Sequence, residues 1–151
     1  MTRRGNGGFT LVELLVVVAI IGIITSIAIP ALRQAIDKAK QRRTMADMRT
    51  VATAVSTYGV DYPFVPKLSS VNVDELRPYL IPTYLRTLPY LDGWRRAMVY
   101  QAEGLSYTLR SYGRDGVAQT TLHEGPTTSF DADLVLNNGV WVQWPEGMQT
   151  K

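Results

Sequence analysis

Acidic residues that could bind a hard metal ion lie near both ends of one long segment in the C-terminal half. Gly113–Phe130 is too long for a tight turn and has no regular hydrophobic pattern; Asp115 lies near its start, and Asp131 and Asp133 follow its end. Calcium takes about six to eight oxygen ligands from carboxylates, carbonyls and water. The ligand spacing of an EF-hand is absent, and composition alone favours an Asp-Gly turn with two solvated carboxylates.

Catalytic motifs are missing from the sequence. His123 is the only histidine, and the chain has no cysteine, which excludes disulfides and thiolate metal sites. The nucleophile-elbow, phosphate-loop and zinc-protease signatures are also absent. We therefore predict a protein that is not an enzyme, with His123 as an exposed loop residue.

Glu13 raises a second chemical question, because it is the only charged residue between Phe9 and Leu32. A charge at the centre of a bilayer costs about 3 kcal/mol, and less near the interface. The run Leu14–Ile29 contains 16 uncharged residues, whereas a signal peptide has an apolar centre of about 7–15 residues. The pattern therefore disfavours a cleaved signal peptide and favours a membrane anchor, or an anchor that later enters a helical assembly.

The basic residues before this run indicate an orientation and not a nucleic-acid site. Arg3 and Arg4 place the N-terminus in the cytoplasm by the positive-inside rule. Without the first eight residues, which hold these two arginines, the chain has 14 basic and 13 acidic residues. The pairs at 42–43 and 95–96 are isolated, so we expect no nucleic-acid partner.

The sequence Gly8-Phe9-Thr10-Leu11-Val12-Glu13 resembles the processing site of type IV pilins and type II secretion pseudopilins. The resemblance implies cleavage between Gly8 and Phe9 by an aspartic prepilin peptidase, followed by N-methylation of Phe9. Pro30 matches a proline of the family and is expected to kink the helix.

A buried charge pair would give Glu13 a role in assembly. Processing leaves an ammonium group on Phe9, which the Glu13 carboxylate of a neighbouring subunit can approach. Such pairing reduces the desolvation cost of both charges and fixes the register of apolar helices that could otherwise slide. The alternative is a carboxylate simply solvated by lipid head groups.

The elements that position these residues form an α+β fold: a long N-terminal helix whose C-terminal half packs on a small antiparallel β-sheet head. The helix is expected from Phe9 or Leu11 to about Tyr58, with Gly59 as its stop. Its second half repeats apolar residues at a spacing of three to four, which predicts a buried face: Met48, Val51, Ala52, Val55 and Tyr58. The expected segments are a leader (1–8), a membrane or filament helix (9–32), its amphipathic continuation (33–58) and the head (59–151).

Within the head, Val71–Leu80 is expected to form a short helix capped by Ser69 or Ser70. Two β-hairpins follow, each with glycine in its turn. Their expected strands are Ala97–Ala102 with Tyr107–Ser111, and Leu134–Leu136 with Val140–Gln143.

The C-terminal half is similar to the major-pseudopilin branch of the same family. The similar segments are Asp92-Gly93-Trp94, the run from Ser106 to Gly116, and Asp131-Ala132-Asp133-Leu134. The resemblance implies a calcium site with the Asp115 carboxylate, the Tyr112 carbonyl, and either Asp131 or Asp133 as a second carboxylate. The chain departs from the family pattern where Gly93 replaces a proline and Arg95 a glycine, and it lacks the family's glycine-rich stretch.

The resemblance implies the major subunit of a type II secretion pseudopilus, a homopolymer built with minor pseudopilins and the secretion assembly platform. It places the anchor in the bacterial inner membrane and the head in the periplasm, and then the subunit in a periplasmic filament. Two alternatives stay open: a type IV pilin for adhesion, motility or DNA uptake, and a membrane-anchored binding module that does not polymerise.

Overall fold

The computed structural model describes residues 8–147, which divide into two compact units between Ile36 and Asp37. Residues 1–7, which hold Arg3, Arg4 and most of the expected leader, lie outside the described residues. One helix, α1 (Leu11–Asp61), contributes to both units. It ends three residues beyond the predicted last residue, Tyr58, because Gly59 continues the helix.

The first unit exposes an apolar helical surface. Pro30 lies inside α1 without ending it, and the expected kink there stays a prediction. Every described residue from 8 to 36 is exposed. Among the described residues, α1 is long and apolar enough to cross a membrane.

The second unit contains a six-stranded sheet with the order β1-β2-β3-β5-β6-β4. The remaining elements are β1 (Val71–Asn72), a 3-10 turn (Val73–Leu76), α2 (Arg77–Leu80), β2 (Val99–Glu103), β3 (Ser106–Ser111), β4 (Gly125–Thr127), β5 (Leu134–Asn137) and β6 (Val140–Pro145). Both predicted hairpins are confirmed as antiparallel pairs, β2 with β3 and β5 with β6, with strand ends that differ by up to two residues.

Two predicted features of the head are wrong. The expected helix Val71–Leu80 begins as strand, because Val71 pairs with Tyr100 at the edge of the sheet. Neither serine caps a helix there: Ser70 has a φ of 52°, and the helical turn begins only at Val73. The segment expected to be irregular contains β4, which pairs with β6 in parallel, so the sheet is not wholly antiparallel.

The core of the second unit lies between α1 and one face of the sheet. The predicted face of α1 is confirmed, since all five of its residues are buried. They pack with buried residues of β2, β3, β5 and β6: Tyr100, Tyr107, Leu109, Leu134, Leu136 and Trp141. Tyr107 also donates its hydroxyl hydrogen bond to the carbonyl of Ala52 at 3.0 Å. The described core cluster belongs entirely to the second unit.

Candidate functional site

The start of α1 is held by a reciprocal pair of side chains. The amide and hydroxyl of Thr10 donate to Glu13 Oε2 at 2.9 and 2.8 Å, and the Glu13 amide donates to Thr10 Oγ1 at 3.2 Å. This is a capping box, in which the N-cap threonine and the acid three residues later satisfy amides that the first helical turn leaves free. Thr10 was missed as a functional residue, although Thr-x-x-Glu before an apolar run is the sequence signal for it.

The residues expected at the processing site directly precede this cap. Gly8, Phe9 and Thr10 are exposed and lie outside the helix, which begins at Leu11. Glu13 then lies in the first helical turn, four residues from Phe9. An exposed, non-helical segment ahead of a helix is accessible to an enzyme, whereas helical backbone is not easily cleaved.

Asp115 lies in a tight turn at the start of the long loop. The Gly116 amide donates to the Tyr112 carbonyl at 3.1 Å, and the Val117 amide donates to Asp115 Oδ1 at 3.0 Å. Gly113 has a φ of 62°, and a Cβ there would lie 2.7 Å from the carbonyl oxygen of Ala132. Glycine is therefore required at 113, and the turn packs directly against the residues that follow the loop.

Asp133 is the buried carboxylate of the loop, with no exposed surface. Its Oδ2 accepts hydrogen bonds from Arg110 Nε at 2.5 Å and from the Gln119 amide at 3.1 Å. Its Oδ1 is buried and has no hydrogen-bond partner among residues 8–147. Burial raises the pKa of Asp133, and the nearby charge of Asp115 adds to that rise.

Asp131 lies in a different environment. Its two oxygens accept hydrogen bonds from Arg114 Nε and Nη2 at 2.8 and 2.9 Å, and the side chain is partly exposed. These bonds lower the pKa of Asp131. The third nitrogen of the same guanidinium, Nη1, donates to Asp37 Oδ2 on α1 at 3.3 Å. Asp131 thus serves an ion-pair network, whereas Asp133 keeps one free oxygen.

The oxygens that the family resemblance assigns to calcium therefore fall into two groups. The Asp131 carboxylate is bound by Arg114, and the other oxygens are not. Asp115 and the Tyr112 carbonyl belong to the turn and Asp133 to the end of the loop, and the negative charge of Asp115 adds to the rise in the pKa of Asp133. Across residues 8–147, no group of three or more histidine, cysteine or acidic side chains could hold a metal ion. A calcium ion here would depend on two carboxylates and on carbonyl oxygens.

The Asp92-Gly93-Trp94 segment has a structural role. Asp92 is buried and accepts hydrogen bonds from the amides of Trp94 and Arg96, both at 2.9 Å, and from the Ser111 hydroxyl at 2.9 Å. The Gly93 amide donates to Thr44 Oγ1 on α1 at 2.8 Å. The segment therefore fixes the turn before β2 against the helix.

The other predicted residue of possible chemical interest, His123, is exposed, as expected. Its amide donates to Gln143 Oε1 at 2.9 Å. Within residues 8–147, none of the acidic site residues forms a hydrogen bond with His123.

Two known protein families match this chain, one in its N-terminal part and one in the part that follows. Residues 3–29 match the family described as the prokaryotic N-terminal methylation motif. Residues 31–128 match the family described as type II secretion system (T2SS), protein G. No solved structure matches the chain.

Several relatives carry the name type II secretion system core protein G. The one from Pseudomonas aeruginosa is 32% identical over 127 residues, which cover 77% of this chain and 89% of the relative. The one from Escherichia coli is 32% identical over 120 residues, covering 72% of this chain and 82% of the relative. The type IV major fimbrial protein FimA of Dichelobacter nodosus is 44% identical over 54 residues, 36% of this chain and 35% of the relative. Because the protein G match extends over more than half of the sequence and the relatives are covered nearly whole, this chain belongs to the protein G family of type II secretion systems, the major pseudopilins.

Proposed function

We propose that this chain is the structural subunit of a type II secretion pseudopilus and that it polymerises through the N-terminal part of α1 to drive protein secretion. The observation that carries the proposal is the exposed apolar helix of the first unit. Every described residue from 8 to 36 is exposed, although large apolar side chains dominate this stretch. Such a surface is stable only in lipid or against other helices, and a filament core supplies the second environment.

Processing would occur between Gly8 and Phe9. The motif match extends from residue 3 to residue 29 and therefore includes both residues. A prepilin peptidase acting on the cytoplasmic face would release the leader and expose the Phe9 amine for methylation. The anchor would then hold the subunit in the inner membrane, with its head in the periplasm, until the assembly platform adds it to the filament.

Assembly would use Glu13 as the residue that sets register. The capping box occupies Glu13 Oε2, and no described residue donates a hydrogen bond to Oε1. The ammonium group on Phe9 of a neighbouring subunit could bind that second oxygen while the cap remains intact. A carboxylate that keeps one partner within its own helix and gains a charged one from its neighbour offsets the cost of leaving water.

N-terminal analysis of the mature chain by mass spectrometry tests this proposal. A start at methylated Phe9, together with filaments visible by electron microscopy when the chain is overproduced with its secretion system, supports it. A mature start near Ala28 would mean a secreted protein. A chain that starts at Phe9 but never forms filaments would be a membrane-anchored binding module.

A type IV pilin is the second candidate, because the fimbrial relative matches 54 residues at 44% identity. That match covers about a third of each chain, whereas the protein G relatives are covered nearly whole. Deletion of the gene separates the two functions. Loss of secreted proteins from the medium supports the pseudopilus, and loss of surface pili or twitching motility with normal secretion supports the pilin.

We propose further that the loop binds calcium through the carboxylates of Asp115 and Asp133 and the carbonyl of Tyr112. No described residue forms a hydrogen bond with the buried Asp133 Oδ1. A buried carboxylate oxygen without a partner is costly unless a cation or water contacts it. Asp131 is the weaker candidate for the second carboxylate, since Arg114 already binds both of its oxygens. The ion would supply positive charge between two carboxylates that otherwise repel. Calorimetric titration of calcium into the mature chain in detergent tests the site, and an absence of binding heat would refute it.

A further inference from the structure

Arg110 reaches from β3 into the long loop and contacts two kinds of oxygen there. Its Nε donates to Asp133 Oδ2 at 2.5 Å, and its Nη2 donates to the Gln119 carbonyl at 2.5 Å. Nη2 also forms an ion pair with the same carboxylate oxygen, in which Asp133 is fully buried and Arg110 is mostly buried. The guanidinium carbon lies 5.4 Å from the centre of the Tyr112 ring. A carboxylate and a backbone carbonyl are the same classes of oxygen that bind calcium.

Gln119 and Asp133 also form two hydrogen bonds with each other, and these bonds close the loop. The Gln119 amide donates to Asp133 Oδ2 at 3.1 Å, and the Gln119 side-chain Oε1 accepts from the Asp133 amide at 3.1 Å. Gln143 Nε2 on β6 donates to the same Oε1 at 2.8 Å. Gln119 therefore fastens the loop to the segment after it and to the sheet, and the bonds from Arg110 and from the Gln119 amide both end on one buried carboxylate oxygen.

The charges near Asp133 determine how much a metal ion can stabilise the folded loop. Asp133 and Asp115 contribute two negative charges, and Arg110 already contributes one positive charge in direct contact with Asp133. Removing one partner of a buried ion pair leaves an uncompensated charge, which is strongly unfavourable. A cation fixed by the covalent chain is always present at this site, whereas calcium is present only at sufficient concentration.

We propose that the guanidinium group of Arg110 is a built-in cation that closes the loop onto Asp133 and Gln119, so that the head keeps its fold without bound calcium. The inference deepens the calcium proposal, because it assigns calcium a secondary and not an essential role at the same carboxylate. Arg110 is thus a positioning residue, which holds the loop in place. A guanidinium fork suits this geometry because it donates to two acceptors at once, which a lysine ammonium does with less geometric control.

The test uses the mature full-length chain in detergent, with Arg110→Gln, Arg110→Lys and the matched control Arg114→Gln. Arg114 also pairs with an aspartate of the loop, but the pair is exposed. The three tryptophans of the chain lie in the second unit, so thermal melting followed by their fluorescence reports on the head alone. Hydrogen exchange at the amides of Gln119 and Asp133 reports directly on loop closure, because each amide binds the other residue.

In chelator the wild-type chain should stay folded with both amides protected, and calcium should only raise its melting temperature further. Arg110→Gln in chelator should melt several degrees lower, and the two amides should exchange at least about tenfold faster. Calcium should recover much of both losses in Arg110→Gln, because the ion then supplies the missing charge. Arg110→Lys should be intermediate, and Arg114→Gln should leave the two amides protected.

Two results would overturn the proposal. The first is fast exchange of the two amides in wild-type chain treated with chelator, which would make calcium essential. The second is unchanged protection in Arg110→Gln with chelator, which would make Arg110 a packing residue only. If calorimetry detects calcium binding to neither the wild type nor Arg110→Gln, the calcium proposal fails by itself. The exchange of the two amides in chelator then still decides the role of Arg110.

Discussion

Thr10 and Glu13 bind each other through three hydrogen bonds at the first turn of α1, and one oxygen of Glu13 accepts both bonds that Thr10 donates. Glu13 therefore serves its own helix before any neighbour is present. The cap gives the carboxylate polar partners within the subunit, which reduces the cost of placing it beside an apolar run. The assembly role then needs only the remaining oxygen and the negative charge.

Glu13→Gln separates these two roles, because glutamine at this position retains the capping box but removes the charge. We expect filament formation to fall at least tenfold, since an unpaired ammonium group on Phe9 in the filament core would cost about 3–5 kcal/mol. Membrane insertion should be unchanged. Electron microscopy of overproduced filaments and membrane fractionation measure the two outcomes. Normal filaments from Glu13→Gln would show that Glu13 acts only as a cap.

Thr10→Val is the complementary change, because it retains the charge of Glu13 and removes the hydroxyl of the cap. Loss of an N-cap side chain costs about 1 kcal/mol, and the first turn of α1 should fray. We expect filaments to persist in reduced number. Loss of filaments as complete as in Glu13→Gln would contradict a separate role for the charge. Hydrogen exchange at the amides of residues 11–13 in detergent measures the fraying.

The turn at Asp92 to Arg96 gives opposite predictions for two neighbouring positions at which the chain departs from the family pattern. A Cβ at Gly93 would lie 2.3 Å from the carbonyl oxygen of Lys40, so Gly93→Ala should destabilise the head by about 1–3 kcal/mol. Arg95 has a φ of 66°, which favours glycine, so Arg95→Gly should stabilise the head by up to about 1 kcal/mol. Denaturant unfolding followed by tryptophan fluorescence measures both. Equal effects of the same sign would mean that this turn adopts another conformation.

Local patterns in the sequence were enough to predict α1, its buried face and both hairpins. The helical spacing from Met48 to Tyr58 and the Asn138-Gly139 turn each depend on neighbours in the chain, and the structure confirms both. The end of the helix was misplaced because Gly59 lowers helix propensity without preventing helix formation.

Contacts between distant residues account for what the sequence did not predict. Val71 joins the sheet because Tyr100 lies beside it, and no local pattern records that pairing. The contact of Arg110 with Asp133 joins residues on different elements, so no motif spacing could indicate it. The sequence also left Asp131 and Asp133 as equal alternatives, because only the folded loop shows which carboxylate Arg114 already binds. Thr10 is different, since its capping signal was present in the sequence.

Tyr84 gives the head a predicted sensitivity to alkaline pH. Its hydroxyl donates to Asp61 Oδ2 at 2.6 Å, and this hydrogen bond raises the pKa of Tyr84 to about 12, above the ordinary value of 10.0. A group whose pKa is raised by folding stabilises the folded state fully below its unfolded pKa, and that stabilisation is lost as the pH rises toward 12. Tyr84→Phe should therefore weaken the decrease of unfolding free energy between about pH 10 and pH 12. Tyr79→Phe, which removes a hydroxyl from the same aromatic cluster, is the control and should retain the wild-type slope.

Asp133→Asn and Asp131→Asn distinguish the two candidates for the second calcium carboxylate. A ligand that binds only the folded state stabilises it by about 2.7 kcal/mol at a concentration 100 times its dissociation constant. Neither Asp131 nor Arg114 is among the proposed ligands. Calcium at such an excess should therefore raise the melting temperature of Asp131→Asn and of the double variant Asp131→Asn with Arg114→Gln by equal amounts. Asp133→Asn should lose the calcium effect, as should Asp115→Asn, which alters the exposed turn and leaves the buried pair with Arg110 in place. If calcium still stabilises Asp133→Asn but not Asp131→Asn, then Asp131 is the ligand, and its ion pair with Arg114 must open when the metal binds.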